Sequence, residues 1–261
     1  MKVLIKQELR LSRKILFVWV GIVLTMGIFC FWEYLSLKDS LNELTQMVDR
    51  FPQILRIMFG VTGDVTTVLG WYCCIYFWIA ILVFSYAVYL GISSIFKEKV
   101  QGTSEYLFTK PLNRHQIIMA KVVANLCNLS ILAAISGLCN YFTAVAPLGG
   151  LEQKNAVLLT TVGLFLTEVV LYALGLMISG LAKSYKRASL LGAGTLIAFY
   201  CIYVAGEYWN NPVLSYLTPI KYFDVCEVAI EGISITFLLI SGLITFISVF
   251  IAKKKWAGKE I

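Results

Sequence analysis

The sequence is poor in charge, proline and histidine. Of its 261 residues, 14% are charged and 59% are hydrophobic, whereas a soluble domain has about 25% charged residues. So little charge excludes an ordinary soluble enzyme, a disordered chain and a coiled coil. With His115 as the only histidine, a di-histidine metal site and histidine-based nucleophilic catalysis are not expected. We therefore predict no catalytic and no metal-binding residue in this chain.

The cysteines form no recognisable framework. There are seven, and most of them lie inside apolar runs without a Cys-x-x-Cys or Cys/His spacing. We expect them to be small buried hydrophobic residues and expect neither a disulfide framework nor a zinc site.

Long apolar runs are what the sequence has in abundance, and the mean hydropathy is +0.80. A bilayer core of about 30 Å needs roughly 20 apolar residues per helix. The runs are continuous, so they predict helices and exclude a membrane barrel. We predict an all-α polytopic membrane protein, one domain over residues 1–261, with six transmembrane helices. The predicted spans are 15–35, 70–96, 117–146, 156–181, 188–206 and 233–252.

The charges alternate between successive connections. The N-terminus, the second and fourth connections and the C-terminal tail carry most of the 22 basic residues, and the other three connections carry most of the acids. This alternation predicts that both termini are cytoplasmic. It also accounts for the net charge of +7 without a nucleic-acid partner. The first apolar run has no cleavage pattern, so we expect it to be a retained helix.

Several segments outside the spans are predicted to be helical. Residues 1–13 mix apolar and basic side chains and predict a short helix along the cytoplasmic interface before the first span. An amphipathic helix is expected in the first outer connection, ending near Pro52. A further short helix is expected between Pro219 and Glu231. The aromatic residues near the outer boundaries favour an interfacial belt over a ligand cage. They are Trp71, Tyr72, Tyr76, Trp78 and Trp209.

The most informative stretch is the cytoplasmic connection at 97–114. Gly102 breaks the preceding helix, and Thr103 is suited to cap a new one with Glu105 in its first turn. Tyr106, Leu107 and Phe108 then form an apolar cluster in a polar connection. These side chains either pack against the chain's own helix ends or dock into a groove of a partner.

The order of residues in this stretch resembles the cytoplasmic signature of ABC-2-type ABC transporter permeases. The matching pattern is Glu98-x-x-x-Gly102-Thr103-x-Glu105-x-Leu107-x-x-x-Pro111-x-x-Arg114, followed by Lys121. Two outer segments are also similar to the family, Phe51-Pro52-x-x-Leu55-x-x-x-Phe59-Gly60 and Thr218-Pro219-x-x-Tyr222-Phe223-Asp224. The chain departs mildly from the family at Thr218, where serine is expected, and at Lys110.

The resemblance implies a permease subunit of an ATP-driven exporter. It implies that 97–114 is a coupling helix on a separate cytoplasmic ATP-binding subunit, which would hold ATP and magnesium. This chain would then be no enzyme and would carry no cofactor. A second permease chain, in a homodimer or related heterodimer, and membrane lipid would be its other partners, in a prokaryotic plasma membrane. The implied coupling residues are Glu98, Gly102, Thr103, Glu105, Tyr106, Leu107, Phe108, Pro111 and Arg114.

Polar residues within the spans are candidates for a translocation path. Glu168 lies near the middle of the fourth span, and a carboxyl group at that depth indicates either function or hydrogen-bonded packing. Asn125 and Asn128 lie in the third span and either line a polar cavity or join helices. The Walker-like string from Gly175 to Ser184 fails because no lysine follows its second glycine directly.

Two other functions remain open. One is a non-transporting membrane sensor or immunity protein that binds a peptide at its outer face. The other is a secondary transporter, although the chain shows no internal repeat and has few buried ionisable groups.

Overall fold

The computed structural model describes residues 2–37, 40, 46–48, 50–61, 64–100, 114–146 and 155–257. Within these ranges the chain is helical and contains no strand. Six of the helices are long and apolar enough to cross a membrane, which confirms the predicted number. In chain order the α-helices are α1 Lys2–Leu37, α2 Gln53–Met58, α3 Val68–Val100, α4 Arg114–Asn140, α5 Ala156–Leu181, α6 Tyr185–Trp209, α7 Pro212–Leu217, α8 Val225–Glu231 and α9 Ile235–Ala257. A π-helix over Tyr141–Val145 continues α4.

Contacts between helix ends define two ends of the bundle. At the first, α1 begins beside the start of α4, and the end of α3 lies beside the starts of α4 and α6. We call it the basic end because it carries most of the lysines and arginines. At the second, Tyr34 of α1 contacts Trp71 of α3, and the start of α3 is bonded to the start of α5 and to α8. We call it the acidic end. The positive-inside prediction assigns the basic end to the cytoplasm.

Helix α5 lies at the centre of the bundle and packs against α3, α4 and α9. Its approach to α3 depends on two glycines. A Cβ atom at Gly91 would collide with the backbone of Tyr172, and one at Gly175 would lie 2.8 Å from the Val88 carbonyl oxygen. Small residues at such contacts let two membrane helices come close enough for backbone packing. The α3–α5 pair therefore forms the closely packed centre of the protein.

The other helices differ in how much of their apolar surface the chain itself covers. In the most apolar windows of α3, α4 and α5, half or more of the residues are buried, against 22%, 22% and 17% in α1, α6 and α9. A peripheral helix that remains apolar on its exposed side suits lipid or another membrane-embedded chain.

The first helix differs from its prediction. Residues 2–13 are helical as expected, but they continue into the span as one 36-residue helix. No proline occurs before Pro52, so nothing in the backbone interrupts the hydrogen-bond ladder between interface and span.

The short helices at the acidic end follow local capping chemistry. Asn211 accepts a hydrogen bond from the Val213 N–H at 3.0 Å and begins α7, where Pro212 takes the first position. Asp224 accepts from the Cys226 N–H at 3.0 Å and begins α8, which confirms the helix predicted before Glu231. Helices α2 and α7 were not predicted, because each has only 6 residues, too few for a periodic pattern.

The aromatic belt is a second difference. Trp71, Tyr72 and Tyr76 are buried in the bundle, whereas Trp209 is exposed. Residues at an interfacial belt must reach the lipid headgroups. Three of the five predicted belt residues are therefore core residues.

Candidate functional sites at the two ends of the bundle

Two asparagines of α4 join neighbouring helices near the basic end. The Asn128 amide donates to the Ser12 hydroxyl of α1 at 2.9 Å. The Asn125 amide donates to Ser94 of α3 at 2.8 Å and to the Tyr172 hydroxyl of α5 at 3.3 Å. All five side chains are buried. Four helices are thus tied by polar contacts where lipid offers no competing hydrogen bonds.

An ion pair lies beside these contacts. The Lys121 ammonium is 3.4 Å from the Glu8 carboxylate, and the two side chains are 6% and 20% exposed. Both residues, together with Asn125, line a cavity of about 170 Å³ between α1, α3, α4 and the start of α6. Asn125, a predicted path residue, therefore both joins helices and lines the cavity that contains the Glu8–Lys121 ion pair, whereas Asn128 bonds across to α1.

The predicted coupling residues adjoin this end. Glu98 lies in the last turn of α3 and Arg114 begins α4. Gly102, Thr103, Glu105, Tyr106, Leu107, Phe108 and Pro111 lie outside the described residues. The segment that contains them connects two helices that the Ser94–Asn125 hydrogen bond holds together.

Glu168 occupies the centre of α5. It follows Ala156 by 12 residues, which is about 18 Å along a helix. The side chain is 0% exposed, and neither carboxyl oxygen has a hydrogen-bond partner among the described residues. The hydroxyl of Tyr86 in α3 is likewise buried without a partner in that part of the chain. Glu168 is thus a buried carboxyl that the α3–α5 pair leaves unsatisfied.

A larger cavity opens near the acidic end. It holds about 340 Å³ and lies between α2, α3, α6 and the segment that precedes α8. Its walls are almost wholly apolar and are rich in aromatic rings, including Tyr76, Phe77, Trp78, Tyr200, Tyr203 and Phe223. Phe77 stacks with Tyr203 at a centroid distance of 6.4 Å. The one carboxylate in the lining is Asp224.

Asp224 also belongs to a charged cluster around Lys221. The Lys221 ammonium lies 2.7 Å from Glu207, 2.7 Å from Glu227 and 3.8 Å from Asp224. Asp224 accepts a further hydrogen bond from the Tyr203 hydroxyl at 3.3 Å. Burial alone lowers the pKa of Lys221, but the carboxylates favour the ammonium form, so the pKa is raised above its ordinary value. We call Lys221, Glu207, Asp224 and Glu227 the Lys221 cluster.

A disulfide fixes the same region. Cys73 of α3 is bonded to Cys226 of α8, 153 residues later in the chain. The expectation that all cysteines are reduced packing residues was therefore wrong for these two. Cys73 lies in an apolar span and Cys226 lies in the acidic connection 153 residues later, so spacing could not reveal the pair. Their common position at the acidic end, away from the predicted cytoplasm, was the available signal.

Sequence reasoning also missed the cavity, because its walls come from four separate segments. The Lys221 cluster did leave a signal in the sequence, since Lys221 is the single basic residue of the otherwise acidic connection from Glu207 to Glu231. The motif that begins at Thr218 is similar to the family's last outer segment, and in it the Thr218 hydroxyl donates a hydrogen bond to the Phe199 carbonyl at 2.9 Å. Serine could donate the same hydrogen bond, so the departure at Thr218 is chemically mild.

The six apolar helices define a multi-pass membrane protein. Compared with known families, the chain matches the ABC-2 family transporter proteins over residues 3–252. The chain therefore belongs to the ABC-2 family and is a membrane permease of an ABC transporter, a class that associates with an ATP-binding subunit. None of the curated protein sequences compared with the chain matches it.

Proposed function

We propose that this chain is the membrane-spanning subunit of an ATP-driven exporter in a prokaryotic plasma membrane. ATP and magnesium are bound and ATP is hydrolysed by a separate cytoplasmic subunit, and this chain performs no catalysis. The observation that carries the proposal is the family match over residues 3–252. The short connection between α3 and α4 at the basic end gives such a subunit a place to dock.

The polar contacts at the basic end support mechanical coupling. A force on the 97–114 segment acts on the end of α3 and the start of α4. Asn125 links α4 to α3 and α5, and Asn128 links α4 to α1. These helices would then move as one body, as a rigid-body transition requires.

A second permease chain fits the exposed apolar surfaces of α1, α6 and α9. Only 22%, 22% and 17% of their most apolar windows are buried within the chain. We infer a homodimer or related heterodimer that covers part of this surface, with lipid on the remainder.

Co-purification tests the coupling assignment. The chain is expressed with a candidate ATP-binding subunit, and Leu107 and Phe108 are both replaced by Asp. Charges at the centre of an apolar contact should abolish complex formation and the stimulation of ATPase activity. The matched control is Val213→Asp with Leu217→Asp, two exposed apolar residues of α7 at the acidic end.

The outcomes of these experiments distinguish an ATP-driven exporter from the alternative functions. If the Leu107/Phe108 variant binds the ATPase normally, the coupling-helix assignment is wrong. If no ATP-binding subunit associates with the unmodified chain, the non-transporting sensor or immunity protein becomes the better hypothesis. Direction is tested in proteoliposomes with ATP outside, where the basic ends of the active molecules face outward. An exporter then accumulates substrate in the lumen.

A further inference from the structure

The cavity at the acidic end is elongated along α3. Its lining residues in that helix run from Cys73 to Phe84, which is about 17 Å of helix at 1.5 Å per residue. On α6 the lining runs in the opposite direction, from Leu196 near the middle of the helix to Tyr203 near the acidic end. The cavity thus extends along α3 and α6 from the acidic end toward the middle of the bundle, where it lies beside the exposed side chain of Ile197.

Polarity changes along this length. The end nearer the middle of the bundle is formed by Ile81, Phe84, Leu196 and Ile197, all of them apolar. Asp224 lies at the other end, near the Cys73–Cys226 disulfide. A cavity with one apolar end and one charged end matches an amphiphile. Its volume of about 340 Å³ is within the range of sites that hold small organic molecules.

The walls are held in place by bonds independent of any ligand. The disulfide joins α3 to α8, and the Tyr200 hydroxyl donates to the Met58 carbonyl at 2.7 Å, which fixes the end of α2. Gly60 has a φ of 73°, and a side chain there would collide with the Phe77 ring. Cavities that need no ordering on binding retain more of the contact energy as affinity.

The charge at the acidic end of the cavity selects the sign of the ligand. The Lys221 cluster contains three carboxylates and one ammonium group. Its formal excess of negative charge attracts a cation and repels the phosphate group of an anionic lipid. The rings of Tyr203 and Phe77 also line the cavity, and aromatic rings attract quaternary ammonium groups.

We propose that this cavity binds a cationic amphiphile, with its apolar chain between α3 and α6 and its cationic group at Asp224. Under the exporter function proposed above, such amphiphiles are the substrate class. That extension rests on the proposed function, whereas the binding site itself does not.

Equilibrium dialysis of radiolabelled decyltrimethylammonium tests the site. The chain alone is placed in phosphatidylcholine nanodiscs, and binding to empty nanodiscs is subtracted. We expect saturable binding to the protein and at least about tenfold weaker binding of decyl sulfate, which has the same chain length and the opposite charge. Equal binding of both probes, or no binding beyond empty nanodiscs, overturns the proposal.

Two variant pairs locate the probe. Ile197 lines the cavity and is 63% exposed, so Ile197→Trp should fold and reduce affinity by about fivefold or more through steric exclusion. Leu191→Trp, on an exposed site of the same helix outside the lining, should leave affinity unchanged.

Glu227→Gln should weaken binding by about threefold. Glu231→Gln, which removes an exposed carboxylate of the same helix outside the Lys221 cluster, should have a smaller effect.

The outcomes are separable from those of the exporter test. Circular dichroism and elution volume establish that each variant is folded. If Ile197→Trp and Leu191→Trp bind alike, the probe is elsewhere and the assignment of this cavity is wrong. ATP and the ATP-binding subunit are absent from the assay. Failure of binding therefore leaves the permease function intact, and failure of ATPase association leaves the cavity intact.

Discussion

The two ends of the bundle are stabilised in different ways. At the basic end, neutral amides and hydroxyls join four long helices through Asn125 and Asn128. At the acidic end, a disulfide and the Lys221 cluster hold short helices against the outer parts of α3 and α6. Hydrogen bonds therefore hold the long helices together at the basic end. At the acidic end, the disulfide and the ion pairs fix α8 and the segment before it beside the cavity, and we call this part the cap.

This difference suits the two tasks of the proposed permease. The hydrogen bonds at the basic end join α1, α3, α4 and α5, so a force on the 97–114 segment would move these helices as one body. The disulfide is covalent and keeps α8 fixed to α3 during such a movement. We infer that motion begins at the basic end.

The largest difference between the ends should follow removal of the disulfide. Replacing both Cys73 and Cys226 by Ser frees a loop with a sequence separation of 153 residues, and loops of this size are constrained by about 4 kcal/mol. We expect the melting temperature to fall by about 10 °C, as measured by differential scanning fluorimetry. Cys127→Ser with Cys201→Ser, two exposed free cysteines, is the control. If both double variants melt alike, the covalent cap does not exist.

A smaller loss is expected when Lys221 is replaced by Met, which leaves three carboxylates without their shared ammonium group. We predict a destabilisation of about 1 to 2 kcal/mol in thermal unfolding. Lys183→Met, at an exposed position of the basic end, should have little effect.

The pH dependence follows from the raised pKa of Lys221. The stabilisation from its ammonium group is complete below the unfolded-state pKa of about 10.4 and is lost only as the pH rises through the higher folded-state value. The difference between the wild type and Lys221→Met should therefore be constant from about pH 6 to pH 9. A difference that vanished in this interval would contradict the ion-pair assignment.

At the basic end, Asn125→Ala should cost about 1 kcal/mol because it leaves Ser94 and Tyr172 with fewer partners. The matched control is Asn140→Ala in the same helix. Asn140 is also buried, but its amide has no hydrogen-bond partner among the described residues, so its loss should be neutral or stabilising. Equal effects in thermal unfolding would show that the Asn125 hydrogen bonds do not join the helices.

The smallest effect on stability is expected at Glu168, between the two ends. Glu168→Gln keeps the shape of the side chain and removes no bond seen among the described residues, so unfolding should change by about 0.5 kcal/mol or less. Transport in proteoliposomes is measured in parallel. Lost transport with unchanged stability would place Glu168 on the translocation path, and a large loss of stability would reveal a partner for its carboxyl group.

Much of the architecture could be predicted because each membrane helix is recognisable from its own stretch of sequence. Each span is a continuous apolar run whose length matches the bilayer, and Pro219 marked where the segment that contains the helix before Glu231 begins. Helices α2 and α7 were missed because each is shorter than two turns. The uninterrupted α1 was missed because charged residues at its start suggested an interface, although no backbone signal ended the helix there.

The candidate sites were less accessible than the spans. Asn125, Asn128 and Glu168 stood out because polar residues are rare in apolar runs. The aromatic cavity did not, because each of its residues is ordinary within its own segment. Tyr76 and Tyr203 are 127 positions apart in the chain, and only packing brings both to one wall.

By itself the sequence determined the class, the number of spans, the expected orientation and the family resemblance, since each depends on local composition or on a short ordered motif. The tertiary structure alone decided which cysteines are paired, which amides are satisfied and where a cavity remains. These properties depend on distances between residues far apart in the chain. Such distances are set by how six helices pack against one another, through close contacts such as that of Gly91 with the backbone of Tyr172.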